Sequence, residues 1–267
     1  MAKRGLFLAG VWLVLQMWLG VACAAPASAL TLSTGTEVSL RTFPSRGDTL
    51  LLWFVCDEGH SANEALTAQA LASRGYETWF PDMLEAHFLP SLPSSLKQLP
   101  PEEITEMIAH AVKQSGKKVV LVTSGHGAGP ILKGAHAWQE QTPQEARNAL
   151  SGAILFNPDL YSVPPAPGVE AQYDPVVTQT TLPLFIFQGQ LSPGRWWLEH
   201  LKVQLARGGA KVSSMVLPKV RGHFYVRSDA TDDERAMTRR LPELIQDALQ
   251  QLQQPIPSQP LQNETKP

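Results

Sequence analysis

The sequence predicts a single α/β domain: a mostly parallel sheet with helices on both faces. Three observations carry that expectation. Strand-like and helix-like segments alternate for nearly the whole length, the order that parallel sheets with crossover helices require. The inner strand candidates at residues 50–55, 119–122 and 152–156 are unbroken apolar runs, which suit strands covered on both sides. No internal repeat and no long linker divides the chain.

The elements follow in order. Residues 30–40 alternate apolar and polar side chains around a Ser-Thr-Gly break, the pattern of a short antiparallel pair at a sheet edge. A turn at Ser45-Arg46-Gly47-Asp48 leads into a central strand at 49–55. Residues 61–74 place Ala65, Leu66, Ala68, Leu71 and Ala72 at helical spacing and stop at Gly75. Residues 76–82 form a strand stopped at Pro81-Asp82. A loop rich in proline and serine runs over 87–101. The helix at 101–115 has proline at its start and Glu102 and Glu103 near its positive end. The strand at 119–122, a helix over 130–141 and a strand over 152–156 come next. A proline-rich loop over 158–174 leaves room for only a minimal lid. A strand over 182–187, a helix over 195–207 and a strand over 212–217 form the last crossover. One terminal helix over 231–253 opens with Asp232, Asp233 and Glu234, and the polar, proline-rich tail at 253–267 reads as disordered.

The N-terminus adds a further expectation. Lys3 and Arg4 precede an apolar stretch from residue 6 to 22, and Ala27-Ser28-Ala29 offers small residues for cleavage before Leu30. That is the organisation of an export signal over residues 1–29, leaving one domain over 30–252. The alternatives are an uncleaved anchor, since about 17 apolar residues is near the lower limit for a bilayer span, and a lipid on Cys23. Removal of the leader takes the formal charge from −2 to −4, because residues 1–29 contain no acid. Such a balance attracts neither nucleic acid nor an anionic membrane. Removal also leaves Cys56 as the only cysteine, so the fold relies on its core and not on an internal disulfide. A small buried hydrophobe is the simpler reading of Cys56.

The segment Val119-Val120-Leu121-Val122-Thr123-Ser124-Gly125-His126-Gly127 breaks from strand to turn through small residues. With the order of elements, it resembles the nucleophile elbow of the α/β-hydrolase superfamily. Two more segments are similar at family spacing. Cys56-Asp57-Glu58-Gly59-His60, then a helix and Arg74-Gly75-Tyr76, resembles the oxyanion loop and the entry to the next strand. Gly222-His223, after the last strand, resembles the pair that carries the catalytic histidine. The resemblance spans residues 35–252 and implies a Ser-His-acid triad. On this chain it puts Gly125 at the nucleophile position, Ser192 at the acid position in Gly189-Gln190-Leu191-Ser192, and retains His223. A glycine cannot attack a carbonyl, and a serine cannot stabilise an imidazolium by charge.

Three substitutes present themselves. Ser124 adjoins the turn tip but points elsewhere on such a turn, and nucleophilic catalysis depends on placement. Cys56 lies near the mouth of the implied site, but Asp57 and Glu58 oppose its ionisation. Asp159, just beyond the strand at 152–156, is a candidate replacement acid, since the resemblance implies that the carboxylate can be held on that strand. The backbone N–H groups of His126 and Gly127, at the start of a helix, form an anion-friendly site; the competing reading is that glycines there only allow close packing. His60, His126 and His223 lie at no metal-ligand spacing, so no metal is expected, and the sequence implies no cofactor. Arg195-Trp196-Trp197 reads as a helix start packed on the sheet. These readings favour an exported, catalytically inactive hydrolase-like protein, periplasmic or secreted. Its partner would be a small molecule or an envelope protein, and no stable membrane span would remain after cleavage. The alternative is an ester or acyl hydrolase with a relocated nucleophile or a water activated by His223.

Overall fold

The computed structural model describes residues 27–253. Strands β1 (Ala27–Thr31), β2 (Glu37–Phe43), β3 (Thr49–Trp53), β4 (Tyr76–Asp82), β5 (Lys118–Ser124), β6 (Leu150–Phe156), β7 (Leu184–Gly189) and β8 (Val212–Leu217) make one sheet in the order β1-β2-β4-β3-β5-β6-β7-β8. The pairs β1–β2 and β2–β4 are antiparallel, and the other five are parallel. The expected edge pair and parallel centre are both present. Helices α1 (Ala62–Ser73), α2 (Met83–Ala86), α3 (Pro93–Leu96), α4 (Pro101–Ser115), α5 (Ala128–Gln141), α6 (Gln144–Arg147), α7 (Leu198–Arg207), α8 (Asp232–Arg239) and α9 (Leu241–Gln253) fill the connections.

The apolar runs are unbroken because each central strand feeds two cores at once. Successive side chains on a strand point to opposite faces. Leu50, Leu52, Val119, Leu121, Leu155 and Ile186 pack on one face with Ile104, Ile108, Ile131, Leu132, Leu201 and Leu205, so α4, α5 and α7 lie there. Leu51, Trp53, Val120, Val122, Phe156 and Phe187 pack on the other with Leu71, Leu244, Ile245 and Leu249, so α1 and α9 lie opposite. Polar residues on these strands would have left one core without its wall.

Local signals set most boundaries. Ser61 and Glu64 form a capping box at the start of α1, and Thr231 and Glu234 form another at α8. Gly116 ends α4 in the left-handed conformation, with φ 63°. The single terminal helix expected over 231–253 is instead two, separated at Arg240. Pro242 is the reason: it has no N–H to donate to the preceding turn, a loss that costs nothing in the first turn of a new helix, where α9 places it. The loop after β6 carries only a short 3-10 turn at Pro175–Thr178 and an isolated bridge between Tyr161 and Tyr173, so the lid is minimal.

Residues 1–26 of the expected export signal and the expected disordered tail beyond residue 253 lie outside the described residues. Ala27, Ser28 and Ala29 do not: they pair with Arg41, Leu40 and Ser39 in β1. Cleavage before Leu30 would therefore shorten the edge strand to Leu30 and Thr31. Among the described residues no helix is long and apolar enough to cross a membrane.

Candidate active site

The carboxyl ends of β3, β5 and β6 and the segment after β8 converge on one turn. β5 ends at Ser124, a 3-10 turn covers Gly125–Gly127, and α5 begins at Ala128. Gly125 has φ 55°, a left-handed conformation that glycine adopts without a steric penalty. A Cβ on Gly127 would overlap Thr123 Oγ1, so this position must be small. The strand-turn-helix geometry of the elbow is thus complete.

The space at its tip is already filled. A Cβ on Gly125 would overlap His223 Nε2 and come within 2.6 Å of Asp57 Oδ1. His223 Nε2 lies 3.4 Å from Asp57 Oδ1, beyond hydrogen-bond length but within ion-pair range. Asp57 Oδ2 pairs with His126 Nδ1 at 3.0 Å, and His126 Nε2 reaches Asp159 Oδ2 at 3.3 Å. Four side chains from four segments form one alternating row, His223, Asp57, His126, Asp159. His223 holds φ 55° without being glycine, and Asn157, at the end of β6, holds φ 46°. Such strain clusters where the surrounding structure fixes a side chain for a purpose. Asn157 accepts from Gly189 N at 2.6 Å and from Gln188 Nε2 at 3.1 Å, joining the ends of β6 and β7 beneath the site.

Electrostatics follow the row. Burial pushes the Asp57 carboxyl up, but the imidazoles of His126 and His223 outweigh it and hold the group well below the usual carboxylate range. His126 is raised, chiefly by its bond to Asp57, against the opposing effect of burial and with help from Asp159. The row thus carries a carboxylate between imidazoles at neutral pH.

The sequence-predicted residues divide sharply. His223, Gly125, His126, Asp159 and Ser192 line one cavity of about 500 Å³. Within it Asp159 pairs with His126, and His223 takes its carboxylate from Asp57. Asp159 is tied to the elbow by its backbone, whose N–H donates to Gly125 O at 2.9 Å. Ser192 sits on the cavity wall, its Oγ 3.7 Å from where a Cβ on Gly222 would stand. Ser124 is buried below the turn, facing Cys56 and Tyr225. Cys56 is 1% exposed, and burial, only partly offset by the Ser124 hydroxyl, pushes its thiol up to about 12. A thiol so protonated is a poor nucleophile at neutral pH.

Of the three histidines weighed for a metal, His60 stands apart, bound to Asp82 at 3.0 Å and facing Glu64 at 3.7 Å. The other two share Asp57, and ligand atoms of Cys56, Asp57 and His223 lie within 4.8 Å of one another. The expectation of no metal rested on local spacing, which is blind to residues gathered from separate loops. Sequence reasoning missed Asp57 as a site residue. Its signal was its place, four residues beyond the end of β3, in the segment that resembles the oxyanion loop. The expected packing of both tryptophans on the sheet is corrected: Trp196 is 87% exposed, because residues 193–197 form a 3-10 turn ahead of α7.

Solved structures share this arrangement of strands and helices. Esterase 2 of Thermogutta terrifontis, in a form phosphorylated by paraoxon, superposes with a TM-score of 0.60 at 15% identity, over 86% of this chain and 95% of its own. A candidate dienelactone hydrolase of Klebsiella pneumoniae subsp. pneumoniae does so with a TM-score of 0.59 at 13% identity, over 87% of this chain and 100% of its own. The chain has the α/β-hydrolase fold. No family model matches its sequence, and no curated protein matches it significantly. Within that fold, Gly125 lies on the turn between β5 and α5, and the Cys56-Asp57 segment faces it.

Proposed function

We propose that this is an exported hydrolase-fold protein that binds a small ligand in the cavity above Gly125 and is catalytically silent as a serine-type acyl transferase or hydrolase. The observation that carries this reading is the filled elbow tip. Where an acyl-transferring nucleophile would project, Gly125 leaves room that His223 Nε2 and Asp57 Oδ1 occupy. Ser124 and Cys56, the two neighbours able to form an acyl-enzyme, are buried and do not line the cavity. Acyl transfer needs a nucleophile held in line with the carbonyl, and no binding term replaces it. The first N–H groups of α5 suit a ligand with a carboxylate or similar anionic group.

A second reading has its own support. His223 beside a buried carboxylate is the arrangement of a general base, and it lines the cavity. It would activate water directly, without an acyl-enzyme.

Two measurements separate the readings. Exposure to paraoxon, which phosphorylates the Thermogutta esterase, is expected to leave the intact mass unchanged. Hydrolysis of short p-nitrophenyl esters is expected to match the buffer rate and to be indifferent to His223→Ala. A phosphoryl adduct, or ester turnover lost on His223→Ala, overturns the silent reading. Export is tested by cell fractionation with N-terminal sequencing, where a chain recovered outside the cytoplasm and lacking Met1 to at least residue 22 is expected. An intact N-terminus on a cytoplasmic chain overturns it.

A further inference from the structure

Beneath the elbow lies a set of polar atoms whose bonding is incomplete. Asp57 Oδ1 and His223 Nε2 are buried and form no hydrogen bond, although they face each other at 3.4 Å. The Asp57 side chain is 7% exposed, so water supplies little compensation. Buried polar groups are rarely left so, and each exception asks for a missing partner. The Cys56 thiol faces the same place, completing a set of one sulfur, one nitrogen and one oxygen within 4.8 Å.

We infer that Cys56 Sγ, Asp57 Oδ1 and His223 Nε2 form a binding site for one divalent transition-metal ion of the zinc class. Thiolate, imidazole and carboxylate are the ligands such ions take, at about 2.0–2.3 Å each. Donor atoms around one ion then stand about 3.3–3.8 Å apart in tetrahedral geometry. The separation of Asp57 Oδ1 from His223 Nε2, 3.4 Å, already falls in that range. Cys56 Sγ lies within 4.8 Å of both, so binding draws it in by at most about 1 Å. Binding replaces the thiol proton, which leaves to solvent, by a metal-sulfur bond.

Two features of the surroundings fit the ion. His126 Nδ1 holds the second carboxylate oxygen of Asp57 at 3.0 Å, fixing the direction of Oδ1, the role that outer hydrogen bonds play around metal sites. Gly125 places no side chain between the imidazole and the carboxylate; any Cβ there would stand in the gap. Glycine at the elbow tip is then a requirement of the site and not merely a loss. Three protein ligands leave a fourth position on the cavity side, where Gly125 and His223 form the wall. The inference does not depend on the silent reading above, since a site can hold metal whether or not esters are turned over.

The test is a zinc titration of the purified full chain carrying Cys23→Ser, in competition with a chromophoric chelator, with cobalt as a spectroscopic probe. One ion per chain is expected, and cobalt should give a thiolate charge-transfer band in the near ultraviolet. Cys56→Ser, close to isosteric, should abolish that band and weaken zinc binding by more than the about 10- to 100-fold typical of outer partners. His223→Ala should weaken it comparably, and His60→Ala should change nothing. Circular dichroism checks that each variant folds; if His223→Ala does not, Cys56→Ser decides alone. The inference is overturned if the chain binds no stoichiometric zinc, or if binding and the cobalt band survive Cys56→Ser.

Discussion

Two histidine-carboxylate clusters stand at the carboxyl edge of the sheet, and they differ in what is left unpaired. Around His60 one ring nitrogen is bonded and the other is open to solvent, the side chain being 30% exposed. One ring nitrogen meets Asp82 at 3.0 Å and the other faces Glu64 at 3.7 Å. Glu64 in turn closes the capping box of α1 by accepting from Ser61 N at 2.9 Å, and Asp82 caps α2 by accepting from Glu85 N at 2.9 Å. That cluster fastens β4 to two helix starts. Around His223 the same residue types leave Asp57 Oδ1 and His223 Nε2 without hydrogen bonds and face a cavity. Residue type therefore does not distinguish a fastener from a site; whether its unbonded atoms are open to water or buried beside a cavity does.

The largest break in this comparison is Asp57→Ala. It removes the carboxylate shared by two imidazoles in a poorly solvated position, and breaking such a pair costs about 3–5 kcal/mol. Urea denaturation should report a loss near the lower end, because His126 keeps Asp159. A loss below about 0.5 kcal/mol would mean the row is solvated and not a unit.

Gly125→Ser comes next. It puts a Cβ into a left-handed position, worth about 1–2 kcal/mol, and against His223 and Asp57. Combining it with Asp57→Gly should cost less than the sum of the two single changes, because the second removes one of the two groups the first collides with and lets His223 move aside. Additive losses in that cycle would show that the tip is roomier than the contacts indicate.

The His60 cluster should be felt through pH. His60 is raised to about 9, first by its bond to Asp82 and then by Glu64, against burial. A raised folded-state value means the histidine gives stability that is fully present below its unfolded value, near 6.5. That stability fades as pH rises through about 9. His60→Ala should thus cost about 1–2 kcal/mol at pH 6, after allowance for solvent screening. It should cost little at pH 10. A cost that grows with pH would contradict the ion pair.

Ser192→Ala should have the smallest effect, within about 0.5 kcal/mol in the same urea assay. Ser192 starts a 3-10 turn without a capping bond from its side chain. A larger loss would reveal a structural role at the position where the hydrolase resemblance implies an acid.

Much of the frame was legible because it rests on local rules. Unbroken apolar strands, capping residues and Gly116 each act within a few residues, so the order of elements and the bounds of α4 and β8 follow from the chain itself. The break at Arg240 was legible too, in Pro242, but the continuous apolar face of α8 and α9 masks it. The elbow, His223 and Asp159 were found by position. Asp57 was not, because a carboxylate after a strand has no meaning until the segment after β8 returns to meet it.

The sequence alone determined the layered fold, the turn at Gly125 and the absence of a side chain at its tip, since each depends on residue type and near neighbours. Only the tertiary structure decided what fills that tip. Asp57 and His223 are separated by 166 positions, and their meeting depends on β3 and β5 lying adjacent and on β8 closing the parallel half of the sheet. Pairing across such distance is set by the packing of whole elements, and no local pattern encodes it.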